Sequence, residues 1–199
     1  MSAGDKGTLI AGLLLAAGSG SRLGRPKALV ELGGERLVDR GVRTLADGGC
    51  APVLVVLGAA HATVPEALTV HNPDWATGMG SSVRAGIDAA PDSVDALVFA
   101  LVDQPLVTSE AVRRLVEAYE QGARAAVATY NGNPRNPVLL GREHWSTVHS
   151  MAEGDVGARP FLRAYSHLLT TVACDDIASP EDIDTEEDLT RLSALLNNA

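Results

Sequence analysis

Five short runs of the chain are apolar at consecutive positions, without the alternation that marks a half-exposed strand. They are Leu9–Ala16, Val53–Leu57, Ala96–Leu101, Ala125–Thr129 and Leu168–Ala173. Strands read this way when helices cover both sides of the sheet they form. Elsewhere apolar residues recur at helical spacing, near Leu37–Ala46, Ser81–Ala90, Ser109–Gln121, Gly157–Tyr165 and Glu186–Leu196, and these segments are expected to be helices. Strand–helix alternation predicts an α/β fold, a three-layer sandwich around a mostly parallel central sheet. No repeat, low-complexity tract or linker divides the chain, so residues 1–199 are expected to form a single domain.

Composition narrows this picture. Apolar residues make up 46% of the chain and aromatic ones only 4%, so the core must be built from Ala, Val and Leu. A net charge of −9 argues against a partner that is polymeric nucleic acid. Cys50 and Cys174 lie far apart in no metal-ligand spacing and read as buried thiols in a reducing compartment. The apolar stretch Leu9–Ala17 is too short to cross a bilayer and lacks the flanks of a signal peptide. The expectation is a cytoplasmic protein with no membrane partner.

Parallel sheets bind ligands beyond the carboxyl ends of their strands. That directs attention to the loops after Ala16, after Leu101 and around Asn131, and to the polar stretches Asn72–Ser82 and Ile177–Asp184. The first loop reads LAAGSGSRLGRPKAL from Leu15 to Leu29. Gly18, Gly20 and Gly24 let the backbone approach a phosphate, and successive N–H groups in such a turn form an anion-binding concavity. A dinucleotide and a triphosphate both suit that feature. The dinucleotide fingerprint G-x-G-x-x-G wants its third glycine one residue earlier, and a second strand leading to a ribose-binding acid. Glu35 and Asp39 are candidate acids, but no convincing strand precedes them. Arg22 and Lys27 favour the triphosphate, which gains from a guanidinium fork and a point charge. Lys27 stands out because the only other lysine among the 16 basic residues is Lys6.

Two further acids complement this loop. Asp103 follows an apolar strand at its carboxyl end, where one or two oxygens could hold Mg²⁺. In DDIASPEDIDTEEDL, Thr185 and Asp188 have the spacing of a capping box, and Glu186 and Glu187 suit the start of a helix. Helix capping leaves Asp182 and Asp184 unused. In Asn72–Gly86, the small residues Gly78, Gly80, Ser81 and Ser82 leave room for a base to lie against backbone, with serine as the expected helix cap. His144, His149 and His167 fall in no metal-ligand pattern.

The first loop resembles the signature of the nucleotidyltransferases of molybdenum-cofactor biosynthesis, roughly L-A-A-G-x-G-x-R-M/L-G-x-x-K. The resemblance implies a GT-A-like, Rossmann-like nucleotidyltransferase fold. It implies that Ala16, Ala17, Gly18, Ser19 and Gly20 line the nucleotide and that Arg22 and Lys27 meet its phosphates. The stretch ALVDQPLV is similar to the family's D-x-P metal motif, with Asp103 as the aligned acid, and DIDT implies Asp184 as the second ligand for Mg²⁺. Arg22, Lys27 and Asp103 are then the catalytic candidates, and Gly78, Gly80, Ser81 and Ser82 the base-recognition loop. On the acceptor side stand Asn131, Arg135 and Asn136, where relatives commonly have Gly-His-Pro, and Asp155 and Arg159 further on. The double alanine resembles members that use CTP, whereas the guanylyl branch reads LAGG. The implied activity is transfer of CMP from CTP to a phosphorylated acceptor, molybdopterin (a pterin phosphate), whose product passes to a molybdoenzyme client or its chaperone. The alternatives are a GTP-dependent guanylyltransferase, a transferase for another phosphorylated acceptor such as a methylerythritol or sugar phosphate, and an NADPH-dependent reductase that uses the same glycine loop. A further one is a non-catalytic carrier or chaperone for a pterin cofactor, against which the two acids and Lys27 speak.

Overall fold

In the computed structural model, which describes residues 7–197, the first apolar run becomes β1 (Ile10–Ala16), buried at every position. Lys6 lies outside the described residues. After β1 come the small hairpin β2 (Glu31–Leu32) and β3 (Glu35–Arg36), then α1 (Leu37–Asp47), β4 (Val53–Leu57) and β5 (Leu68–His71). The chain continues through α2 (Met79–Asp88), β6 (Ala96–Leu101), α3 (Ser109–Glu120), β7 (Ala125–Tyr130) and β8 (Asn133–Gly141). It ends with α4 (Arg142–Met151), α5 (Arg159–Ala164), β9 (Thr170–Ala173) and α6 (Glu186–Asn197).

Seven of these strands form one sheet in the order β5-β4-β1-β6-β8-β7-β9. All neighbours are parallel except β8, which runs antiparallel to both β6 and β7. The carboxyl ends of the other six strands therefore share one edge. Successive side chains of β1 enter opposite layers, as strand geometry requires. Leu14 packs with Val42 and Leu45 of α1 and with Val112 and Leu115 of α3. Leu13 and Leu15 pack with Val83 of α2, Trp145 and Val148 of α4, and Phe161 of α5. Helices cover both faces, which is why the strands carry no polar alternation. The expected α/β three-layer sandwich with a mostly parallel sheet is the fold found.

The structure departs from the expected elements where polar or helix-breaking residues hide the pattern. β5 is an edge strand with exposed residues, so it lacks a continuous apolar run. β8 begins NPRNP, which reads as a proline-rigid turn, yet Asn133, Pro134 and Arg135 already pair with Tyr130, Thr129 and Ala128. In α4 only Trp145 and Val148 are buried, too few to announce a helix. The helix expected over Gly157–Tyr165 is the shorter α5, and a 3₁₀ turn, Gly154–Val156, precedes it. Gly157, at φ 54°, lies outside helical geometry and separates them. The strand expected from Leu168 begins at Thr170, because Ser166–Leu168 form a 3₁₀ turn.

Leu13 is fully buried between β1 and the layer of α2, α4 and α5. Leu13→Ala is expected to lower unfolding stability by about 2–5 kcal/mol, measured by urea denaturation.

Candidate active site

At the shared carboxyl edge, the loops after β1 and β6 and the segment before α2 enclose a cavity of about 310 Å³. Its floor is the glycine loop. Gly20 takes φ 61°, and a Cβ there would run into the Arg25 carbonyl, so the turn closes only around glycine. A hydrogen bond from Leu23 N–H to the Gly20 carbonyl, 2.9 Å, ties the turn. The chain then doubles back and enters a 3₁₀ turn, Lys27–Leu29, at Lys27. Ala17, Gly18, Ser19, Gly20 and Lys27 all line the cavity, whereas Ala16 is buried in the core beneath it.

Lys27 is the centre of the charged cluster. Its Nζ donates to Asp103 Oδ2 and to Asp184 Oδ1, each at 2.6 Å. Burial acts to lower the ammonium's pKa, but the neighbouring Asp103 and Asp184 carboxylates outweigh it and hold the value above that of a free lysine. The group is therefore a cation at neutral pH. Arg22, largely exposed, reaches the second oxygen of Asp184 at 3.0 Å.

The two aspartates arrive by different routes. Asp103 lies just past β6. Asp184 is held there by backbone: Ile183, fully buried, donates its N–H to the Asp103 carbonyl at 2.8 Å. Ser179 N–H bonds the Leu106 carbonyl, and Gln104 Nε2 donates to Asp182 Oδ1 at 2.8 Å. Asp182 is thus engaged by Gln104, outside the cluster on Lys27. Immediately after Asp184, the Thr185–Asp188 pair forms the expected capping box, with Asp188 N–H on Thr185 Oγ1 and Thr185 N–H on Asp188 Oδ2.

The opposite wall comes from the segment before α2. Trp75, Ala76, Gly78, Met79 and Ser82 line the cavity, and Asp155 joins them. Gly78 takes φ 112° and a Cβ there would collide with the Gly154 carbonyl, so only glycine lets the turn Gly154–Val156 seat against the start of α2. That contact brings Asp155, expected on the acceptor side, into the same cavity as the glycine loop. Serine does not cap α2, because the helix starts earlier, at Met79, with Gly78 at the cap position. Ser81 and Ser82 instead surround the buried Asn72, whose Nδ2 donates to their hydroxyls at 2.8 and 3.0 Å. Asn72 Oδ1 accepts from Asp74 N–H, and Ser81 Oγ donates to the Asp74 and Gly78 carbonyls. Ser81 and the tightly packed Gly80 sit behind the wall and do not line it.

The remaining expected acceptor residues are not in the cavity. Asn131 is the tip of the β7–β8 hairpin, at φ 50°, and its N–H donates to the Asp175 carboxylate. Arg135 and Asn136 belong to β8 itself, near the same sheet edge, and Arg159 opens α5 from an exposed position. Trp75 and Met79 were missed by sequence reasoning. A large aromatic in a polar loop of a chain with 4% aromatic residues was the available signal.

The donor set suits a hard divalent cation. Two carboxylates converge on one point, and Mg²⁺ is commonly held by one or two carboxylates with water and substrate phosphates completing its shell. Among the described residues no group of three or more His, Cys, Asp or Glu side chains could hold a metal. The remaining ligands would have to come from water and substrate.

Residues 12–169 match the MobA-like NTP transferase domain. The chain belongs to this MobA-like family. It is accordingly an enzyme of the nucleotidyltransferase type, and GT-A-like, Rossmann-like nucleotidyltransferases are its structural neighbours. Among curated relatives, nicotine blue oxidoreductase of Paenarthrobacter nicotinovorans is 40% identical, over 92% of this chain and 96% of that protein. The 2-C-methyl-D-erythritol 4-phosphate cytidylyltransferase of Streptomyces avermitilis is 32% identical over 61% of this chain and 54% of its own length. Among solved structures, the Mycobacterium sp. strain JC1 homologue of Mycobacterium tuberculosis Rv0371c superposes with a TM-score of 0.83 at 27% identity, over 95% of this chain and 97% of that one. Rv0371C from M. tuberculosis H37Rv, solved as a complex with manganese, has a TM-score of 0.74 at 22% identity, over 94% and 98% of the two chains. No helix among the described residues is long and apolar enough to cross a membrane.

The buried Asn72 organises the wall that carries Trp75. Asn72→Ala is expected to cost about 1–3 kcal/mol, because it removes the partner of buried polar groups. Hydrogen exchange should show faster opening of residues 74–78.

Proposed function

We propose that the protein transfers CMP from CTP to a phosphorylated acceptor, a pterin phosphate of the molybdopterin type, with release of pyrophosphate. The observation that carries this is Lys27, bound between Asp103 and Asp184 on the rim of a cavity floored by a glycine loop. Backbone amides, a lysine and a carboxylate pair together provide for a polyphosphate and its metal, which a bare dinucleotide loop would not require.

In the reaction, an oxygen of the acceptor's terminal phosphate forms a bond to the α-phosphorus of CTP. The bond from that phosphorus to the bridging α–β oxygen breaks, and pyrophosphate leaves in line. The attacking phosphate is already ionised, so the step needs neither a general base nor a covalent enzyme intermediate. Catalysis then rests on positioning and on countering negative charge. The glycine-loop amides hold the phosphates, and Lys27 and Arg22 face them with positive charge. Asp103 and Asp184 would hold a divalent ion, Mg²⁺, which supplies further charge neutralisation to phosphate oxygens. Gly78, Ser82 and Trp75 form the surface for the base, with Ser81 and Gly80 supporting it from behind. Asp155 borders the acceptor from inside the cavity, and Asn131, Arg135, Asn136 and Arg159 are the outer candidates for acceptor contacts. The product would pass to a molybdoenzyme client or its chaperone.

CTP is favoured by the double alanine Ala16–Ala17, and a cytidylyltransferase stands among the relatives. GTP is the alternative donor. A second reading, an NADPH-dependent reductase, is favoured by one specific observation: the 40% identical relative spanning nearly the whole chain is named an oxidoreductase.

A thermal shift series with CTP, GTP and NADPH, each with and without Mg²⁺, separates these readings. Stabilisation by CTP that depends on Mg²⁺ is expected. Stabilisation by NADPH without metal would replace the transferase with the reductase, and a Mg²⁺-dependent preference for GTP would change the donor. In a pyrophosphate-release assay, Asp103→Ala should abolish turnover with the fold intact by circular dichroism. Lys27→Ala should lower kcat by about 10²–10³-fold. Wild-type turnover in either variant would defeat the assignment.

A further inference from the structure

The Lys27 ammonium stands where the two carboxylates converge, 2.6 Å from Asp103 Oδ2 and 2.6 Å from Asp184 Oδ1. With Arg22 on the other oxygen of Asp184, two negative and two positive groups form a neutral cluster. An ion ligated by these same two oxygens would stand close to the point the ammonium occupies, and repulsion between the two cations means that one must leave. The lysine side chain is only 15% exposed. Driven off its carboxylates, it would need another anion to avoid standing half-buried and unpaired, which is costly. Lys27 borders the glycine-loop cavity, and on the nucleotidyl-transfer reading a triphosphate bound there would supply that anion. No third acidic, histidine or cysteine ligand among the described residues could tighten the ion's grip in compensation.

We propose that Lys27 is the residue that makes the site select a metal–nucleotide pair over the free metal. Its ammonium fills the carboxylate site until a triphosphate accepts it, and only then does the ion enter. This rests on the nucleotidyl-transfer reading and adds to it a coupling between two ligands. Such couplings are reciprocal: if the triphosphate raises metal affinity, the metal raises triphosphate affinity by the same factor, commonly about 5–150-fold.

Mn²⁺ binding to the whole protein without nucleotide, followed by electron paramagnetic resonance, tests the idea. Lys27→Met, which keeps the length of the side chain and removes its charge, is expected to bind Mn²⁺ about tenfold or more tighter than wild type. That gain should vanish in the Lys27→Met/Asp103→Asn double variant. Equal or weaker Mn²⁺ binding by Lys27→Met would overturn the proposal. A second measurement uses wild type alone and does not depend on that variant folding. With only Lys6 and Lys27 in the chain, ¹³C-lysine labelling gives two side-chain signals, assigned by Lys6→Arg. Mg²⁺ alone should leave the Lys27 signal in place, and Mg²⁺ with a non-hydrolysable CTP analogue should move it. A shift with Mg²⁺ alone would overturn the proposal. If the analogue does not bind with or without Mg²⁺, the transferase reading itself fails, which Mn²⁺ binding to Lys27→Met would register separately.

Discussion

One ammonium group joins three distant parts of the chain. Lys27 meets Asp103, 76 residues later, and Asp184, 157 residues later. Each partner depends on it in a different way. The glycine loop ends at Lys27, so the pairing fixes where the loop borders the cavity. Asp103 sits at the end of a buried strand and has little freedom of its own. Asp184 belongs to a segment without regular structure, held by the Ile183–Asp103 backbone bond on one side and the capped start of α6 on the other. Two carboxylates brought this close repel, and a cation between them removes the repulsion.

The rest of the site is a consequence of the sheet. Six strands run the same way, so their ends crowd one edge, and the residues at those ends are brought together whatever their order in sequence. The opposite wall needs a second device. Gly78 lets the turn at Gly154 lie against the start of α2, and Asn72 ties the same helix start through Ser81 and Ser82. Apolar packing cannot aim a short polar loop, but a buried amide with three hydrogen bonds, to Ser81, Ser82 and Asp74, can. Polar residues in the wall thus serve its shape as much as any ligand.

Much of this was legible in the residues themselves. Continuous apolar runs marked the strands of the sheet centre, because burial on both faces leaves no room for alternation. The glycine loop, Asp103 and Asp184 were legible because their chemistry is concentrated in short motifs. Other features were hidden for physical reasons. β8 starts with prolines that suit a turn, and its place between β6 and β7 depends on partners far away in sequence. Ser81 looked like a helix cap, but helix boundaries depend on the competing bonds of neighbours, and here Asn72 and two carbonyls claim its hydroxyl. Asp155 read as an acceptor residue beside Arg159, and the two part because Gly157, at φ 54°, turns the chain between the 3₁₀ turn that holds Asp155 and the start of α5.

The sequence by itself determined the layered α/β fold and the residue types available for phosphate and metal chemistry, since periodicity and local motifs are properties of neighbouring residues. The tertiary structure alone decided which of the many acids face Lys27. It placed Asp182 on Gln104 and Asp184 in the cluster, although the two stand two residues apart in one acidic run. It also brought Trp75, Met79 and Asp155 to one wall. These are contacts between segments far apart in sequence, set by strand order and by close backbone packing at a single glycine, and neither is written in any local pattern.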